Sequence, residues 1–257
     1  MRQAIRWRLL LQDPTGGAQL PRLGRREMRV LSTEQSRIFL EAALKTHYGP
    51  VFAVAITTGM RPSEYLALKW STDVDWGRGT MSVVRTLERT AGHWRFAETK
   101  RARSRRVIKL QEWVLEVLKQ QRARSSERRR RTVTVPEAAD LIFTTPAGRP
   151  IHSDKLAQRF KAILRQAGLP NLRLYDARHT AATLALAAGV PPKVLSEQMG
   201  HTSAAFTLDT YAHVMPHMQA AAATRVEALL FPQSRSISKR KAPQTGALAV
   251  RKREAVS

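Results

Sequence analysis

The sequence predicts an α+β fold that is mainly helical with one small three-stranded antiparallel β-sheet. Apolar residues recur at helical spacing through most of the chain, a pattern typical of helices packed on a core. Between residues 73 and 110 the period shortens to two and glycines separate the runs, as in short antiparallel strands. With 257 residues and 43% hydrophobic content, the chain is long enough to bury one sizeable core.

Helices are expected before this sheet. Ser32 precedes an apolar helical pattern and Gln35 follows three residues later, which predicts a capping box. The next helix, "PVFAVAITT", is almost wholly apolar and stops at Gly59, and Pro62 suits the first turn of a further helix. Two buried helices are therefore expected to meet at Arg61.

Helices resume after the sheet. Their expected ranges are residues 112–121, 153–168, 174–189, 191–200 and 218–231. Ser153 or Asp154 is the expected N-cap of the second range, and Gly200 ends the fourth. The run "RARSSERRRR" at residues 122–131 is interpreted as an arginine-rich helix end or loop, which either contacts phosphates or stays solvated.

The charge balance indicates a nucleic acid partner. The chain has 44 Lys and Arg against 20 Asp and Glu, a formal net charge of +24, which favours binding to a polyanion. Residues 232–257 are basic and lack apolar periodicity, so we expect a disordered tail that serves as a solubilising or nonspecific tether. The rest of the chain is strongly basic without it.

Composition also excludes several classes of site. The chain has no cysteine, which excludes disulfides, thiolate zinc sites and cysteine nucleophiles. The N-terminal apolar run is too short for a signal peptide, and no stretch approaches the length of a membrane span. We therefore expect a soluble, intracellular protein without a membrane partner.

Polar residues stand at the junctions between these apolar helices. Arg61 follows one helix, Arg178 opens another, His201 follows a glycine stop, and Tyr211 lies a few residues later. Any one of them alone is typical of a salt bridge or a packing residue. Together with Lys100 at the last turn of the sheet they predict a phosphate site, because arginines offer paired donors and helix N-termini add N–H groups.

The motifs that carry these residues resemble one family. "TTGMRPSEYLALKW", "TK", "DARHTAATLALAAG", "MGHTS" and "TLDTYAH" occur in the order and spacing of the tyrosine recombinase, or phage integrase, family. The resemblance covers residues 29–231 and implies the fold of a tyrosine recombinase catalytic domain. It also implies that Arg61 and Arg178 hold the scissile phosphate and that Glu64 is their supporting carboxylate.

The same resemblance implies the reaction. His201 matches the second basic position, Lys100 the lysine that protonates the leaving 5′-oxygen, and Tyr211 the nucleophile. A tyrosine hydroxyl has a pKa near 10, so Tyr211 must lose its proton to a neighbour, and His201 or the arginine-rich field is expected to assist. The product is a 3′-phosphotyrosyl link, which implies site-specific recombination without metal, ATP or another cofactor.

Three residues around Arg178 complete the expected site. Asp176 is the predicted N-cap of the helix, and His179 is expected to pack or hydrogen-bond beneath the site. Tyr175 occupies a position where the family most often has histidine. Tyrosine titrates too high to replace a histidine as a proton buffer, so we expect Tyr175 to contact a phosphate oxygen instead.

The resemblance also divides the chain into three parts. Residues 1–28 resemble the last helix and basic linker of the family's core-binding domain, residues 29–231 form the catalytic domain, and residues 232–257 are the basic tail. The short N-terminal part implies a naturally minimal protein, a truncated gene or a misassigned start. It also implies weak, salt-sensitive DNA binding.

Alternatives and partners follow from the same residues. A catalytically inert or decayed DNA-binding remnant of a mobile element integrase is the first alternative, and a basic RNA- or ribosome-associated helical protein is the second. The recombinase interpretation implies double-stranded DNA, a homo-tetramer on that DNA and accessory DNA-bending proteins. It also implies a bacterial or phage-borne protein with a cytoplasmic, nucleoid-associated location. The helix at residues 218–231 would pack on a neighbouring protomer or on its own domain.

Overall fold

The computed structural model describes residues 2–14, 17, 28–98, 104–131, 135–201, 203–211, 223–224 and 226–231. The helices in these ranges are α1 (Arg2–Arg6), α2 (Thr33–Leu44), α3 (Gly49–Thr58), α4 (Pro62–Tyr65), α5 (Glu112–Arg131), α6 (Ser153–Gln166), α7 (Asp176–Ala187), α8 (Pro192–Met199) and α9 (Ala204–Tyr211). The strands are β1 (Val74–Asp75), β2 (Thr80–Val83), β3 (Arg85–Thr90), β4 (His93–Glu98) and β5 (Arg106–Lys109). The predicted fold class, mainly helical with a small antiparallel sheet, is confirmed.

The strands divide into two groups. A three-stranded antiparallel sheet has the order β1-β2-β5, and its central Met81 pairs with Val74 on one side and Ile108 on the other. Strands β3 and β4 form a separate hairpin, which the sequence prediction did not separate from the sheet. Ala91 and Gly92 both have positive φ, which is the backbone that a tight two-residue hairpin turn requires.

The predicted helix ends before the sheet are confirmed. Ser32 Oγ accepts from the Gln35 N–H and Gln35 Oε1 accepts from the Ser32 N–H, so the capping box of α2 is complete. Gly59 ends α3 in the left-handed conformation, and Pro62 is the first residue of α4. The arginine-rich run is the C-terminal half of α5, a helix end rather than a loop.

Other helix ends differ from the prediction. Helix α6 begins at Ser153, but its N-cap is His152, whose Nδ1 accepts from the Asp154 N–H, and not Ser153 or Asp154. Helix α9 was not predicted. Its residues carry two threonines and no clean apolar period, so tertiary contacts rather than local pattern stabilise it.

The core lies between α2, α3 and α6. Phe39, Phe52 and Phe160 bring their ring centroids to 5.0–5.6 Å in edge-on or tilted contacts, and each is fully buried. A smaller cluster joins α7, α8 and α9 through Ala182, Leu186, Leu195, Met199 and Tyr211. This second cluster fixes the C-terminal helices against the face on which the polar junction residues gather.

Several predictions fall on residues outside the described ranges. They include Lys100, the tail at residues 232–257 and most of the N-terminal linker. Of the predicted last helix only residues 223–224 and 226–231 are described, and they are helical as far as residue 230. No helix in the described part of the chain is long and apolar enough to cross a membrane.

Candidate active site

Arg178 lies at the meeting point of three helices. Its side chain is in the first turn of α7 and is 3% exposed, with Nη1 donating to the Gly59 carbonyl and Nη2 to the Met199 carbonyl, both at 2.6 Å. These carbonyls end α3 and α8, where intrahelical donors are missing and the helix dipole favours a cation. Burial lowers the pKa of Arg178, but a guanidinium stays protonated in proteins.

Arg61 is held in a different way and is more open. It caps α4, and its backbone N–H and Nη1 donate to the two oxygens of Glu64 at 2.8 and 2.9 Å. Its Nη2 lies 3.4 Å from the Gly200 carbonyl. The side chain is 36% exposed, and among the described residues its further N–H groups have no partner, so they can meet an anion.

Glu64 supports Arg61 from the interior. The carboxylate is 2% exposed, and burial acts to raise its pKa. The hydrogen bonds and charges of Arg106 and Arg61 outweigh burial, so the pKa of Glu64 is lowered and the group is ionised. The predicted supporting carboxylate therefore pairs with two cations, Arg61 and Arg106.

Arg106 is the residue that sequence reasoning missed. It stands in the run "KRARSRR", which contains five basic residues, so composition alone does not single out any of them. A signal was available, because Arg106 lies two positions before the buried Ile108 and so faces the same side of β5.

His201 lies directly after the glycine that ends α8. Its Nδ1 is 2.7 Å from Thr207 Oγ1, and its ring makes an edge contact with Phe206. Burial, and then the charges of Arg178 and Arg61, lower the pKa of His201 to about 4. The imidazole is therefore neutral at pH 7. It borders a cavity of about 520 Å³ whose other lining residues include Arg106, Lys193 and Ser196.

Tyr211 ends α9 and is 1% exposed. Its hydroxyl lies 2.9 Å from His179 Nδ1, and His179 in turn packs edge-on against the exposed ring of Tyr175. Burial raises the pKa of Tyr211 to about 12, although the charge of Arg178 opposes this. Burial also lowers the pKa of His179, which is neutral at pH 7 and able to accept a proton.

Asp176 does not cap α7 as predicted. It is the first helical residue, while Tyr175 occupies the N-cap position without a side-chain cap. Asp176 Oδ2 instead accepts from the backbone N–H of Arg173 at 2.7 Å. The carboxylate therefore stabilises the turn before the helix rather than the helix's own free N–H groups.

These residues form two linked groups. The first group surrounds the ends of α3 and α8 and consists of Arg61, Glu64, Arg178 and His201. The second group pairs His179, which follows Arg178 on α7, with Tyr211, which ends α9. Fixed cations beside neutral histidines and a tyrosine hydroxyl suit binding and attack of a phosphodiester.

Comparison with known proteins gives one consistent result. The model of the phage integrase family matches residues 28–218. A tyrosine recombinase XerC-like protein of Caldanaerobacter subterraneus subsp. tengcongensis is 30% identical over 202 residues, which are 74% of this chain and 51% of that protein. An integrase of Saccharopolyspora erythraea is 26% identical, and the match covers 84% of this chain and 61% of that integrase. The chain thus spans about half to three fifths of these relatives.

Solved structures share the fold. The Tn1549 transposon integrase in complex with a circular intermediate DNA superposes with a TM-score of 0.69 at 21% identity, over 87% of this chain and 74% of that one. XerA recombinase superposes with a TM-score of 0.60 at 20% identity, over 77% of this chain and 66% of that one. Both likenesses support the predicted catalytic-domain fold.

Proposed function

The chain belongs to the phage integrase family, and from that premise we propose that it is a site-specific DNA recombinase. It cuts and rejoins double-stranded DNA through a 3′-phosphotyrosyl intermediate, without metal or ATP. One observation carries the proposal: successive residues of α7 serve the two halves of the reaction. Arg178 adds a fixed cation to the phosphate site, and His179 contacts the hydroxyl of the nucleophile Tyr211.

The phosphate is held by two arginines and a histidine. Arg61 reaches outward with free N–H groups, and Arg178 contributes a charge that is fixed by two helix ends. His201 donates from Nε2 when Thr207 donates to Nδ1, a tautomer that suits a phosphate oxygen. Preorganised donors of this kind stabilise the charge that develops on the phosphoryl oxygens, each by roughly 10²–10³ in rate.

The nucleophile gives its proton to His179. As the Tyr211 oxygen forms its bond to phosphorus, its proton passes to His179 Nδ1, while the bond from phosphorus to the 5′-oxygen breaks. Lys100, which lies outside the described residues, supplies the proton to that leaving oxygen. The 2.9 Å contact favours His179 over His201 as the acceptor, because His201 Nδ1 is engaged by Thr207.

The buried nucleophile implies a movement before the reaction. Tyr211 is 1% exposed, so its hydroxyl reaches a DNA phosphate only after α9 shifts toward the DNA while the hydroxyl stays within hydrogen-bond reach of His179. Tyr175, exposed beside His179, donates its hydroxyl to a phosphate oxygen in the same step. DNA binding thus precedes formation of the competent site.

Recombination further requires two duplexes and four strand cuts. A homo-tetramer on DNA, with accessory DNA-bending proteins, meets this requirement. The DNA substrate places the protein in the bacterial cytoplasm with the nucleoid.

Burial of Tyr211 also favours a second candidate function. If α9 never uncovers the hydroxyl, the protein is an inert DNA-binding remnant of a mobile element integrase. Such a remnant keeps the basic surface and the arginines but forms no covalent product.

Covalent trapping separates the two candidates. The protein is incubated with nicked duplexes from the sequence flanking its own gene, and SDS-resistant adducts are measured beside a mobility-shift assay. We expect an adduct that Tyr211→Phe abolishes without weakening binding. Tyr65→Phe is the matched control, because Tyr65 is equally buried and its hydroxyl has no hydrogen-bond partner in the described structure. Binding without an adduct supports the inert remnant.

A further inference from the structure

Glu64 is shared between two arginines. Arg106, the first residue of β5, is 6% exposed and directs Nη2 to Glu64 Oε2 at 2.7 Å and Nη1 to Glu64 Oε1 at 3.2 Å. Each carboxylate oxygen therefore receives one hydrogen bond from Arg106 and one from Arg61. Such a paired contact fixes orientation as well as charge.

The other donors of Arg106 reach the end of α8. Nε donates to the Gln198 carbonyl at 2.6 Å, and Nη1 also donates to the Ser104 carbonyl at 3.2 Å. The guanidinium packs against Gly200, where an added Cβ would lie 3.1 Å from Nη1. Four of the five N–H groups of Arg106 are thus occupied by the protein, which leaves too few to hold a phosphate.

We propose that Arg106 is a positioning residue for the phosphate site. Through Glu64 it fixes the guanidinium of Arg61, and through the Gln198 carbonyl it fixes the end of α8 that leads into His201. The proposal rests on the proposed function, because it concerns how that function's site is held together.

The physical reason lies in the burial of Glu64. A carboxylate that is 2% exposed is stable as an anion only while cations and donors surround it. Without Arg106, Glu64 keeps one cationic partner, so it either takes up a proton or draws Arg61 inward. Both outcomes turn N–H groups of Arg61 away from the phosphate.

A neutral substrate analogue tests this mechanism. A methylphosphonate at the scissile position lacks the anionic oxygen that Arg61 neutralises, so loss of Arg61 matters less on it than on a phosphodiester. We compare adduct formation by wild type, Arg61→Ala, Arg106→Met and the double variant on both substrates. If Arg106 acts through Arg61, Arg106→Met slows the phosphodiester reaction about 10-fold to 100-fold, below the roughly 10²–10³-fold of a direct donor.

The same variant must be close to wild type on the methylphosphonate, and the double variant must be no slower than Arg61→Ala. Equal losses on both substrates, or no loss on either, overturn the proposal. Arg85→Met is the matched control for damage to folding, because Arg85 also pairs with a buried carboxylate, Asp73 at 2.5 Å. Any loss in that control must be the same on both substrates.

The design also separates failure of the proposed function. If wild type forms no adduct on either substrate, catalysis is what fails, and equilibrium affinity for the two duplexes then carries the test. Arg106→Met must then reduce the preference for the phosphodiester, to a smaller extent than Arg61→Ala does. A preserved preference overturns the positioning role. Arg106→Lys keeps the charge but cannot make the paired contact, so it must recover the wild-type preference only in part.

Discussion

The two arginines of the proposed phosphate site use their donors differently. Arg178 binds two buried carbonyls, so its removal leaves at least one of them without a donor, at about 1–3 kcal/mol. Arg61 is more exposed, and its buried partner Glu64 keeps Arg106 as a second cation, so removal of Arg61 should cost less. We expect Arg178→Lys to lower the free energy of unfolding by about 1–3 kcal/mol and Arg61→Lys to change it by less. Urea unfolding measures both, and equal losses would contradict this division.

The contact between His179 and Tyr211 has a pH signature. The lowered pKa of His179 keeps it able to accept a proton at pH 7, so the wild-type rate should be level above that pKa and fall below it. His179→Gln keeps a hydrogen-bonding group but cannot take the proton. We expect it to lose about 10²-fold at pH 7 and to recover as pH rises, since Tyr211 must then ionise by itself.

Trapping rates between pH 6 and 10 measure this recovery. A His179→Gln variant that is faster than wild type at every pH would show that the contact only keeps Tyr211 buried. A parallel loss at every pH would show that it only holds the tyrosine in place.

Sequence reasoning reached the junction residues and Glu64 beside Arg61, but not the contacts between residues that are far apart in sequence. Gly59 and Pro62 mark the helix ends around Arg61 locally, whereas no glycine or proline adjoins the beginning of α7. The catalytic roles of Arg61 and Arg178 stay predictions. Arg106 meets Glu64 across 42 positions, and His179 meets Tyr211 across 32. Such contacts depend on the direction of side chains after packing, which no local pattern carries.

At the scale of elements, the site is made of helix ends. The C-terminal ends of α3 and α8 supply the carbonyls that bind Arg178, and the beginnings of α4 and α7 supply the arginines. Local signals predicted the ends of α3 and α8 and the beginning of α4, because a left-handed glycine or an early proline acts within one turn. The division of the strands was missed because β2 pairs with β5, which follows the β3–β4 hairpin in the chain. Helix α9 was missed because the residues it packs against are distant in sequence.

Gly59 shows how closely two of these ends are packed. Its φ is +65°, and a Cβ there would overlap the Sδ of the buried Met199. Gly168 has nearly the same φ, +66°, with nothing within 4 Å of a Cβ. Gly168→Ala should therefore cost only the backbone strain, about 1–2 kcal/mol, whereas Gly59→Ala adds about 1–3 kcal/mol of overpacking.

Urea unfolding of the two glycine variants measures the difference. Gly59→Ala should also slow covalent trapping, because Met199 supplies a carbonyl to Arg178. Equal destabilisation by the two variants would show that α8 moves away from residue 59 without a cost in free energy.

For the whole molecule, buried titratable groups predict sensitivity to acid. Burial lowers the pKa values of His47, His179 and His201, the last to about 4, whereas an unfolded histidine titrates near 6.5. Below about pH 6.5 the unfolded chain therefore binds more protons than the folded one, and the free energy of unfolding falls. Glu64, whose pKa is lowered, adds to this loss at still lower pH.

The urea midpoint should thus fall between pH 7 and pH 5 and stay nearly level from pH 7 to pH 8. His47→Gln keeps a donor for the Thr144 carbonyl and removes one titrating group, so its urea midpoint should depend less on pH. A profile as steep as that of wild type would mean that His47 is protonated in the folded protein.

The net charge of +24 predicts that the affinity for DNA depends on salt. Each phosphate that a cation neutralises releases counterions, so log affinity falls linearly with log salt, with a slope of about −0.9 per contact. We expect Arg61→Gln to make this slope shallower by about one. Arg37→Gln should leave it unchanged, because Arg37 is already paired with Glu34 and Glu41 on α2.

Fluorescence titrations from 50 to 200 mM salt, with site and unrelated duplexes, measure these slopes. An unchanged slope for Arg61→Gln would place Arg61 away from the DNA phosphates and would contradict the proposed phosphate site. The salt slope therefore tests the phosphate site independently of catalysis, because it counts phosphate contacts even in a protein that cuts no DNA.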